Sequence, residues 1–158
     1  MKRILFVCTG NICRSPLAEA LLKRALHERG VEDVTVESAG TGAWDGAPAS
    51  EGAYLVALER GLDLSGHRAR LLTREMVEEA AMILTMARHH RARVHELGGE
   101  GRVHVLGEYA GKAGDEAEVG DPFGGDLEVY RDTCAELEAL IATVADRLAA
   151  EARREDRR

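Results

Sequence analysis

A cysteine and an arginine separated by five residues are the first pair in this chain whose types and spacing could do chemistry. The segment from Cys8 to Arg14 reads Cys-Thr-Gly-Asn-Ile-Cys-Arg. A thiol attacks as its thiolate, which a helix N-terminus and a neighbouring guanidinium both stabilise. A guanidinium also presents a planar fork that matches two oxygens of a phosphoryl group. The pair therefore predicts that Cys8 attacks a bound phosphate monoester, that water cleaves the covalent intermediate, and that Arg14 stabilises the developing charge.

The elements on either side must position this pair. The apolar run at residues 4–7 predicts a buried strand over residues 3–8, and leucines at three- and four-residue spacing predict a helix over residues 15–29. Ser15 is the expected N-cap of this helix and Pro16 its first residue. The amide groups of the loop then point at one spot in front of the helix dipole, which makes an anion site. The Gly-Lys-Ser/Thr ending of a nucleotide-binding loop is absent.

Hydrophobic patterns along the rest of the chain predict alternating strands and helices. Strands are expected at residues 3–8, 34–38, 82–85 and 103–106, and helices at residues 15–29, 48–60, 74–79, 87–97 and 127–153. This alternation predicts a parallel sheet, in which the loops at the carboxyl ends of the strands converge on one crevice. The loop over residues 107–125 has a length typical of functional or disordered segments. We expect one domain over residues 1–153 and a charged, frayed tail over residues 154–158.

Composition and charge narrow the class of protein. The chain has 158 residues and a net charge of −7, which fits one domain and does not favour a nucleic-acid-binding surface. It has no apolar run of membrane-spanning length and no signal-peptide pattern, so we expect a cytoplasmic protein without membrane binding. Three cysteines fit a reducing compartment better than a disulfide framework. The only asparagine in the chain is Asn11, and its place in the Cys8 loop suggests a function there.

Four segments carry motifs that belong together. They are Val-Cys-Thr-Gly-Asn-Ile-Cys-Arg-Ser-Pro at residues 7–16, Ser-Ala-Gly-Thr-Gly-Ala-Trp at residues 38–44, Gly-His-Arg-Ala-Arg at residues 66–70 and Asp-Pro-Phe-Gly-Gly at residues 121–125. In order and spacing, and over nearly the whole chain, they resemble the low molecular weight protein tyrosine phosphatase family. The resemblance implies a three-layer α/β fold whose four-stranded parallel sheet has the order 2-1-3-4 and helices on both faces.

The same resemblance implies an activity. It is that of a cysteine-dependent phosphatase that hydrolyses phosphotyrosine in proteins or peptides through a phosphocysteine intermediate. Inorganic phosphate is the expected product and inhibitor. No metal or other cofactor is expected, because Arg14 and the loop amides supply the positive field.

Asp121 matches the general acid of the family. A phenolate leaves poorly, because the pKa of its conjugate acid is about 10, so an acid should protonate it and then activate water. The long loop carries Asp121, and Pro122 stiffens the backbone beside it. The residues alone leave open that Asp121 belongs to a turn that caps the last helix, although Asp126 is the better N-cap of that helix.

Further side chains are expected to bind the phosphate or to hold the loop in shape. The phosphate-binding set is Thr9, Gly10, Asn11, Ile12, Cys13 and Ser15. Ser15 could also donate a hydrogen bond to the Cys8 thiolate. Ser38 and His67 are expected to support the loop, and the resemblance has His67 brace Asn11, although the residues alone favour an exposed loop histidine. The other histidines lack metal-site spacing and are expected on the surface or in strands; they are His27, His89, His90, His95 and His104.

The expected substrate rim consists of Ile12, Trp44 and Phe123, with simple packing as the alternative for the two aromatic residues. The family often carries Tyr-Tyr after Asp-Pro, whereas this chain has Phe-Gly, which predicts a more open rim. Cys13 lies in the same loop as Cys8, and a transient disulfide between them could protect the nucleophile from over-oxidation. The alternative for Cys13 is a small buried residue.

The substrate class is open between two branches of the family. Arginine phosphatases resemble this chain at residues 121–125, but they typically carry Thr where this chain has Ile12. An apolar side chain there favours a flat aromatic ring, so phosphotyrosine is the preferred substrate.

Two further functions are less favoured. An arsenate reductase needs a thiol relay, and residues 76–97, where the family would place it, contain no cysteine. An inactive phosphate-binding module would be expected to lack Cys8, Arg14 or Asp121, and all three are present.

Overall fold

A four-stranded parallel sheet forms the centre of the computed structural model, which describes residues 2–157. Its strands are β1 (Lys2–Cys8), β2 (Val34–Gly40), β3 (Met82–Thr85) and β4 (Val103–Val105). Their order across the sheet is β2-β1-β3-β4, which confirms the expected order. Cys8, at the end of β1, pairs in register with Gly40 of β2, and Val7 pairs with Thr85 of β3. The carboxyl ends of these strands therefore meet around Cys8.

Helices cover both faces of the sheet. They are α1 (Arg14–Glu28), α2 (Glu51–Glu59), α3 (Arg74–Glu79), α4 (Arg88–Glu96), α5 (Leu106–Tyr109) and α6 (Leu127–Asp156), with a 3₁₀ turn at Gly114–Ala117. Successive side chains of β1 point to opposite faces, as strand geometry requires. Ile4 and Phe6 pack with α1, α2 and α6, whereas Leu5 and Val7 pack with α3 and α4. The three-layer α/β fold implied by the resemblance is confirmed.

The start of α1 differs from the prediction. The helix begins at Arg14, so Cys13 rather than Ser15 is the N-cap, and no side chain caps the helix. The hydroxyl of Ser15 instead forms hydrogen bonds with residues that precede the helix. Pro16 is therefore the third helical residue, which is tolerated because the N–H groups of the first turn have no partner within the helix.

The boundaries of α2 and of the predicted long loop also differ. The helix α2 begins at Glu51 rather than near Pro48, because Ser50 caps it by accepting a hydrogen bond from Ala53 N. The segment predicted as a loop over residues 107–125 contains most of α5 and the 3₁₀ turn.

The last helix, α6, is longer than predicted. It begins after Asp126, whose side chain accepts a hydrogen bond from Val129 N, so the predicted N-cap is confirmed. It continues to Asp156, three residues beyond the end predicted at about residue 153, so the segment expected to fray is helical over residues 154–156. The Nζ atom of Lys2, in β1, lies 3.7 Å from Glu151 Oε2 and 3.7 Å from Glu155 Oε1. These two ion pairs connect the last turns of α6 to β1. Within residues 2–157, no helix is both long and apolar enough to cross a bilayer.

Candidate active site

Cys8 lies at the carboxyl end of β1, directly before the loop that leads into α1, and is 2% exposed. Its Sγ lies 2.9 Å from Ser15 Oγ. Ser15 Oγ accepts a hydrogen bond from Asn11 Nδ2 at 2.8 Å, so its own hydrogen is free to be donated to the sulfur. A hydrogen bond of this kind stabilises a thiolate relative to a thiol. The hydroxyl predicted to contact the thiolate is thus in place to do so.

Asn11 is the residue on which the loop's shape depends. It is fully buried and has φ 55°, a left-handed conformation that costs a non-glycine residue about 1–2 kcal/mol. Its side chain offsets this cost, because Nδ2 also donates to Ser38 Oγ at 2.9 Å and Oδ1 accepts from Arg70 N at 2.9 Å. Its carbonyl oxygen lies 2.6 Å from His67 Nε2, which must donate there because a carbonyl only accepts. The structure thus brings Ser38 and His67 together against Asn11.

Glu19 extends this set of hydrogen bonds and is absent from the sequence analysis. Ser38 Oγ donates to Glu19 Oε1 at 2.6 Å, and Glu19 Oε2 in turn lies 2.6 Å from Lys23 Nζ. The sequence contains a signal for it, because Glu19 follows Ser15 by one helical turn and therefore lies on the same face of α1.

Arg14 is the positive group of the site and is almost completely buried. Its Nη1 donates to the carbonyl of Val119 at 2.9 Å, and its Nη2 lies 3.6 Å from Asp121 Oδ2. Its Nε is buried and has no hydrogen-bond partner among residues 2–157. A buried donor without a partner is costly, and an oxyanion in the cavity in front of it would satisfy it.

Asp121 forms a local turn and also faces the arginine of the site, and its role as general acid stays a prediction. Its Oδ1 accepts a hydrogen bond from Phe123 N at 3.1 Å, which makes a local turn, and its Oδ2 faces Arg14. It does not cap α6, because Asp126 does. Half of the Asp121 side chain is exposed, in contrast to the buried guanidinium opposite.

A cavity of about 240 Å³ brings most of the predicted residues together. Its lining consists of Cys8, Thr9, Gly10, Ile12, Cys13, Arg14, Asp121 and Phe123. Asn11, Ser15, Ser38 and His67 are not part of that lining and hold the loop from behind. Trp44 is 85% exposed and is not among the lining residues, so its part in the rim stays a prediction.

Cys13 shares the cavity with Cys8, and both thiols are free. Cys13 Sγ lies 3.1 Å from Ser50 Oγ and 3.4 Å from Tyr130 Oη. Burial raises the pKa of the Cys13 thiol, and it raises the pKa of Tyr130 to about 12, so both groups keep their hydrogens at neutral pH. The predicted disulfide between Cys8 and Cys13 stays a prediction. The third cysteine, Cys134, is buried in α6, away from the cavity.

His90 corrects the sequence analysis, which expected a surface or strand residue. It lies in the first turn of α4 and is fully buried, with its Nε2 2.9 Å from Thr9 Oγ1. Periodicity could not find this contact, because the two residues are 81 positions apart. The available signal is topological: α4 follows β3, which lies beside β1, so its first turn must end near the Cys8 loop.

Among residues 2–157, no group of three or more His, Cys, Asp or Glu side chains is arranged to hold a metal ion.

Comparisons with known proteins agree on the family. The family model for low molecular weight phosphotyrosine protein phosphatase matches residues 3–154. The protein-arginine-phosphatase of Geobacillus stearothermophilus is 39% identical over 149 residues, which covers 94% of this chain and 97% of the relative. The low molecular weight protein-tyrosine-phosphatase Wzb of Escherichia coli K12 is also 39% identical, over 150 residues, with coverage of 94% and 96%.

A solved structure shows the same fold. A YwlE arginine phosphatase mutant with a phosphorylated active-site serine superposes with a TM-score of 0.86 at 38% identity. The match covers 92% of this chain and 95% of that one.

Proposed function

The chain belongs to the low molecular weight phosphotyrosine protein phosphatase family, and from this membership we propose that Cys8 is the nucleophile for the hydrolysis of protein phosphotyrosine. The family's enzymes are cysteine-dependent phosphatases, and this chain is one of them. The substrate is a phosphorylated protein or peptide. What we propose is the class of substrate, phosphotyrosine rather than phosphoarginine, and the role of each site residue.

The first step transfers the phosphoryl group to sulfur. Cys8 Sγ attacks phosphorus, the S–P bond forms, and the bond from phosphorus to the phenolic oxygen breaks while Asp121 gives that oxygen its proton. The Arg14 guanidinium and the loop amides stabilise the charge on the transferred oxygens. Support comes from the unpartnered, buried Nε of Arg14, because Arg14 and Cys8 line the same cavity.

The second step releases phosphate. Asp121, now ionised, takes a proton from water as that water attacks phosphorus, and the S–P bond breaks to return the Cys8 thiolate. The hydroxyl of Ser15, 2.9 Å from Cys8 Sγ, stabilises the departing thiolate. The solved YwlE mutant with a phosphorylated active-site serine supports a covalent intermediate in a relative.

The proposal of phosphotyrosine rather than phosphoarginine as the substrate rests on Ile12. Its half-buried apolar side chain lines the cavity together with Cys8 and Phe123. A flat aromatic ring fits between two apolar side chains, whereas a guanidinium would lose hydrogen bonds to water there without gaining a polar partner from Ile12.

Protein phosphoarginine is the second candidate substrate. The named arginine phosphatase from G. stearothermophilus and the named tyrosine phosphatase Wzb are each 39% identical to this chain, so similarity does not separate them. The Phe-Gly-Gly run after Pro122 resembles the arginine branch. Arsenate reduction has less support, because Cys134 lies in the core of α6 and cannot act as a relay thiol near Cys8.

The decisive experiment compares kcat/KM on a phosphotyrosine peptide and on a phosphoarginine peptide of the same sequence. We expect the tyrosine peptide to be preferred, and Ile12→Thr to shift the ratio toward arginine by about tenfold or more. Cys8→Ser is the blank: it should bind phosphate but lose turnover by about 10⁴-fold or more. An arginine preference of the unaltered chain would overturn the substrate proposal, and turnover by Cys8→Ser would overturn the covalent mechanism.

The proposal extends to the compartment and to product inhibition. Three free thiols fit a reducing cytoplasm. Inorganic phosphate should inhibit competitively, because it occupies the same cavity as the phosphoryl group of the substrate.

A further inference from the structure

His90 contacts two parts of the site with its two ring nitrogens. Its Nδ1 lies 3.1 Å from the backbone nitrogen of Ala87, at the start of α4, and its Nε2 lies 2.9 Å from Thr9 Oγ1. A backbone N–H only donates, so Nδ1 must accept there and carry no hydrogen. In a neutral imidazole the hydrogen is then on Nε2, which donates to the hydroxyl oxygen of Thr9.

The neutral form of His90 is strongly favoured by its surroundings. Burial lowers the pKa of His90 to about 3, and the neighbouring His89 and Arg14 side chains act in the same direction. At neutral pH the ring is therefore uncharged, and the two hydrogen bonds define one tautomer.

Thr9 is the residue that this donor holds, and it directly follows the proposed nucleophile. Its carbonyl accepts a hydrogen bond from Gly42 N at 2.9 Å, and Thr9 is one of the residues that line the cavity. The end of β2 also packs closely against Thr9, because a Cβ on Gly40 would lie only 2.4 Å from the carbonyl oxygen of Thr9. The backbone of Thr9 is thus held from the β2 side and its hydroxyl from the α4 side.

We propose that His90 is a positioning residue: by donating from Nε2 to Thr9 Oγ1, it fixes the first residue of the loop in the orientation that binds the phosphoryl group. This inference rests on the proposed function, because it assigns His90 a part in the same site. Loop amides stabilise an oxyanion only when they are already oriented toward it, so freedom at Thr9 weakens phosphate binding and turnover together.

Two substitutions separate the two ring contacts of His90. An asparagine carbonyl oxygen falls near the position of Nδ1, so His90→Asn keeps the acceptor for Ala87 and loses the donor for Thr9. A glutamine amide nitrogen falls near the position of Nε2, so His90→Gln keeps the donor for Thr9 and loses the acceptor for Ala87. Thr9→Val removes the same hydroxyl contact from the other side without changing the shape of the side chain.

The test measures binding of inorganic phosphate by calorimetry, on the Cys8→Ser background, and kcat/KM on an aryl phosphate in the active enzyme. His90→Asn and Thr9→Val should each weaken phosphate binding and lower kcat/KM about three- to tenfold, the usual effect of one uncharged hydrogen bond. His90→Gln should stay within about twofold of the unaltered chain. The double variant with both His90→Asn and Thr9→Val should be no worse than either single variant. His95, which is exposed on the same helix α4, supplies the matched control His95→Asn, which should have no effect.

The opposite pattern overturns the inference. If His90→Gln loses phosphate binding and His90→Asn keeps it, or if Thr9→Val binds phosphate as tightly as the unaltered chain, His90 serves only the start of α4. A lowered Tm with unchanged phosphate binding has the same meaning. Failure of the proposed function is distinguishable, because it would appear as an inactive unaltered enzyme while the binding series on the Cys8→Ser background still reports on His90.

Discussion

The inner and outer sides of the cavity are built in different ways. On the inner side, Cys8, Asn11 and Arg14 are buried, and hydrogen bonds connect this loop to residues of β2, α4 and the segment that contains His67. On the outer side, Phe123 is 64% exposed, and half of the Asp121 side chain faces solvent. On the proposed function, the ordered inner side would bind the phosphoryl group that every substrate has in common, and the exposed outer side would meet the part of the substrate that varies.

The two sides differ in whether their groups are oriented already in the free protein or only when a substrate binds. Donors on the inner side are oriented by the fold, so binding an oxyanion there requires little further ordering. The exposed side chains of the outer side, Asp121 and Phe123, are less constrained by the fold. Their effect on kcat/KM should therefore depend on the leaving group and the shape of the substrate. Substitutions on the two sides should therefore give different kinetic signatures.

Among the substitutions that test this comparison, Asp121→Asn should have the largest effect on kcat/KM. The Asp121 side chain is half exposed, as expected of the outer side, but we propose that it is the general acid. We expect kcat/KM on a phosphotyrosine peptide to fall roughly 10²–10³-fold, since the phenolate then leaves without a proton. An aryl phosphate whose leaving group is already acidic should lose less than about tenfold. Equal losses on both substrates would mean that Asp121 shapes the loop through its turn with Phe123 and does not donate a proton.

Asn11→Ala tests the inner side. The change removes hydrogen bonds to Ser15, Ser38 and Arg70 N and leaves a residue with a Cβ at φ 55°. We expect a loss of about 1–3 kcal/mol in the free energy of unfolding and a fall in kcat/KM of about 10- to 100-fold on every substrate.

Asn11→Gly is the matched control for that experiment, because glycine relieves the backbone cost while still lacking the side chain. It should recover part of the stability but little of the activity. Full activity in Asn11→Gly would show that the side-chain network is dispensable and that the inner side is less ordered than proposed.

Acid should weaken the inner side through His90. Its pKa is about 3 in the folded chain, against about 6.5 in an unfolded one. Between these values the unfolded state binds the extra proton, so stability is complete above about pH 6.5 and falls with pH by about 1.4 kcal/mol per unit. The difference between the unaltered chain and His90→Gln, measured by urea unfolding at pH 6.5 and pH 4.5, isolates this contribution. Equal slopes in the two proteins would contradict a buried neutral His90.

Phe123→Ala has the smallest expected effect and tests the outer side. We expect kcat/KM on a phosphotyrosine peptide to fall about two- to tenfold through loss of one aromatic contact, with an unchanged Tm. Leu58, which is 47% exposed on α2 and outside the cavity, supplies the control Leu58→Ala, which should leave kcat/KM unchanged. An effect of Phe123→Ala on stability rather than on KM would assign Phe123 to packing.

What the sequence predicts well is local. The strand, the loop and the start of α1 are neighbours in the chain, so the meeting of Cys8, Arg14 and Ser15 follows from element order alone. The wrong N-cap shows the limit of this reasoning: a serine before a proline is a good cap by propensity, but hydrogen bonds with the preceding loop take its hydroxyl.

Contacts between distant segments are where the sequence fails. His90 and Thr9 come together only because α4 follows β3, which pairs with β1. In the sequence, a histidine that neighbours another histidine and arginines looks like a surface residue. There a tertiary contact overrides a local pattern that is sound in itself. The continuation of α6 to Asp156 has a different origin, because Ala, Glu and Arg over residues 149–156 are strong helix formers and the charge of the segment does not prevent a helix.

Gly40 has a consequence for anyone who would redesign this enzyme. With a side chain at this position, a Cβ would sit 2.4 Å from the Thr9 carbonyl oxygen and 2.9 Å from Asn11 N, so β2 and the phosphate-binding loop could no longer approach each other. A library that varies position 123, and position 44 as a test of its predicted part in the rim, carries little risk for the scaffold, because both side chains are exposed. The same library extended to position 40 would be filled with inactive members, whatever side chain is chosen.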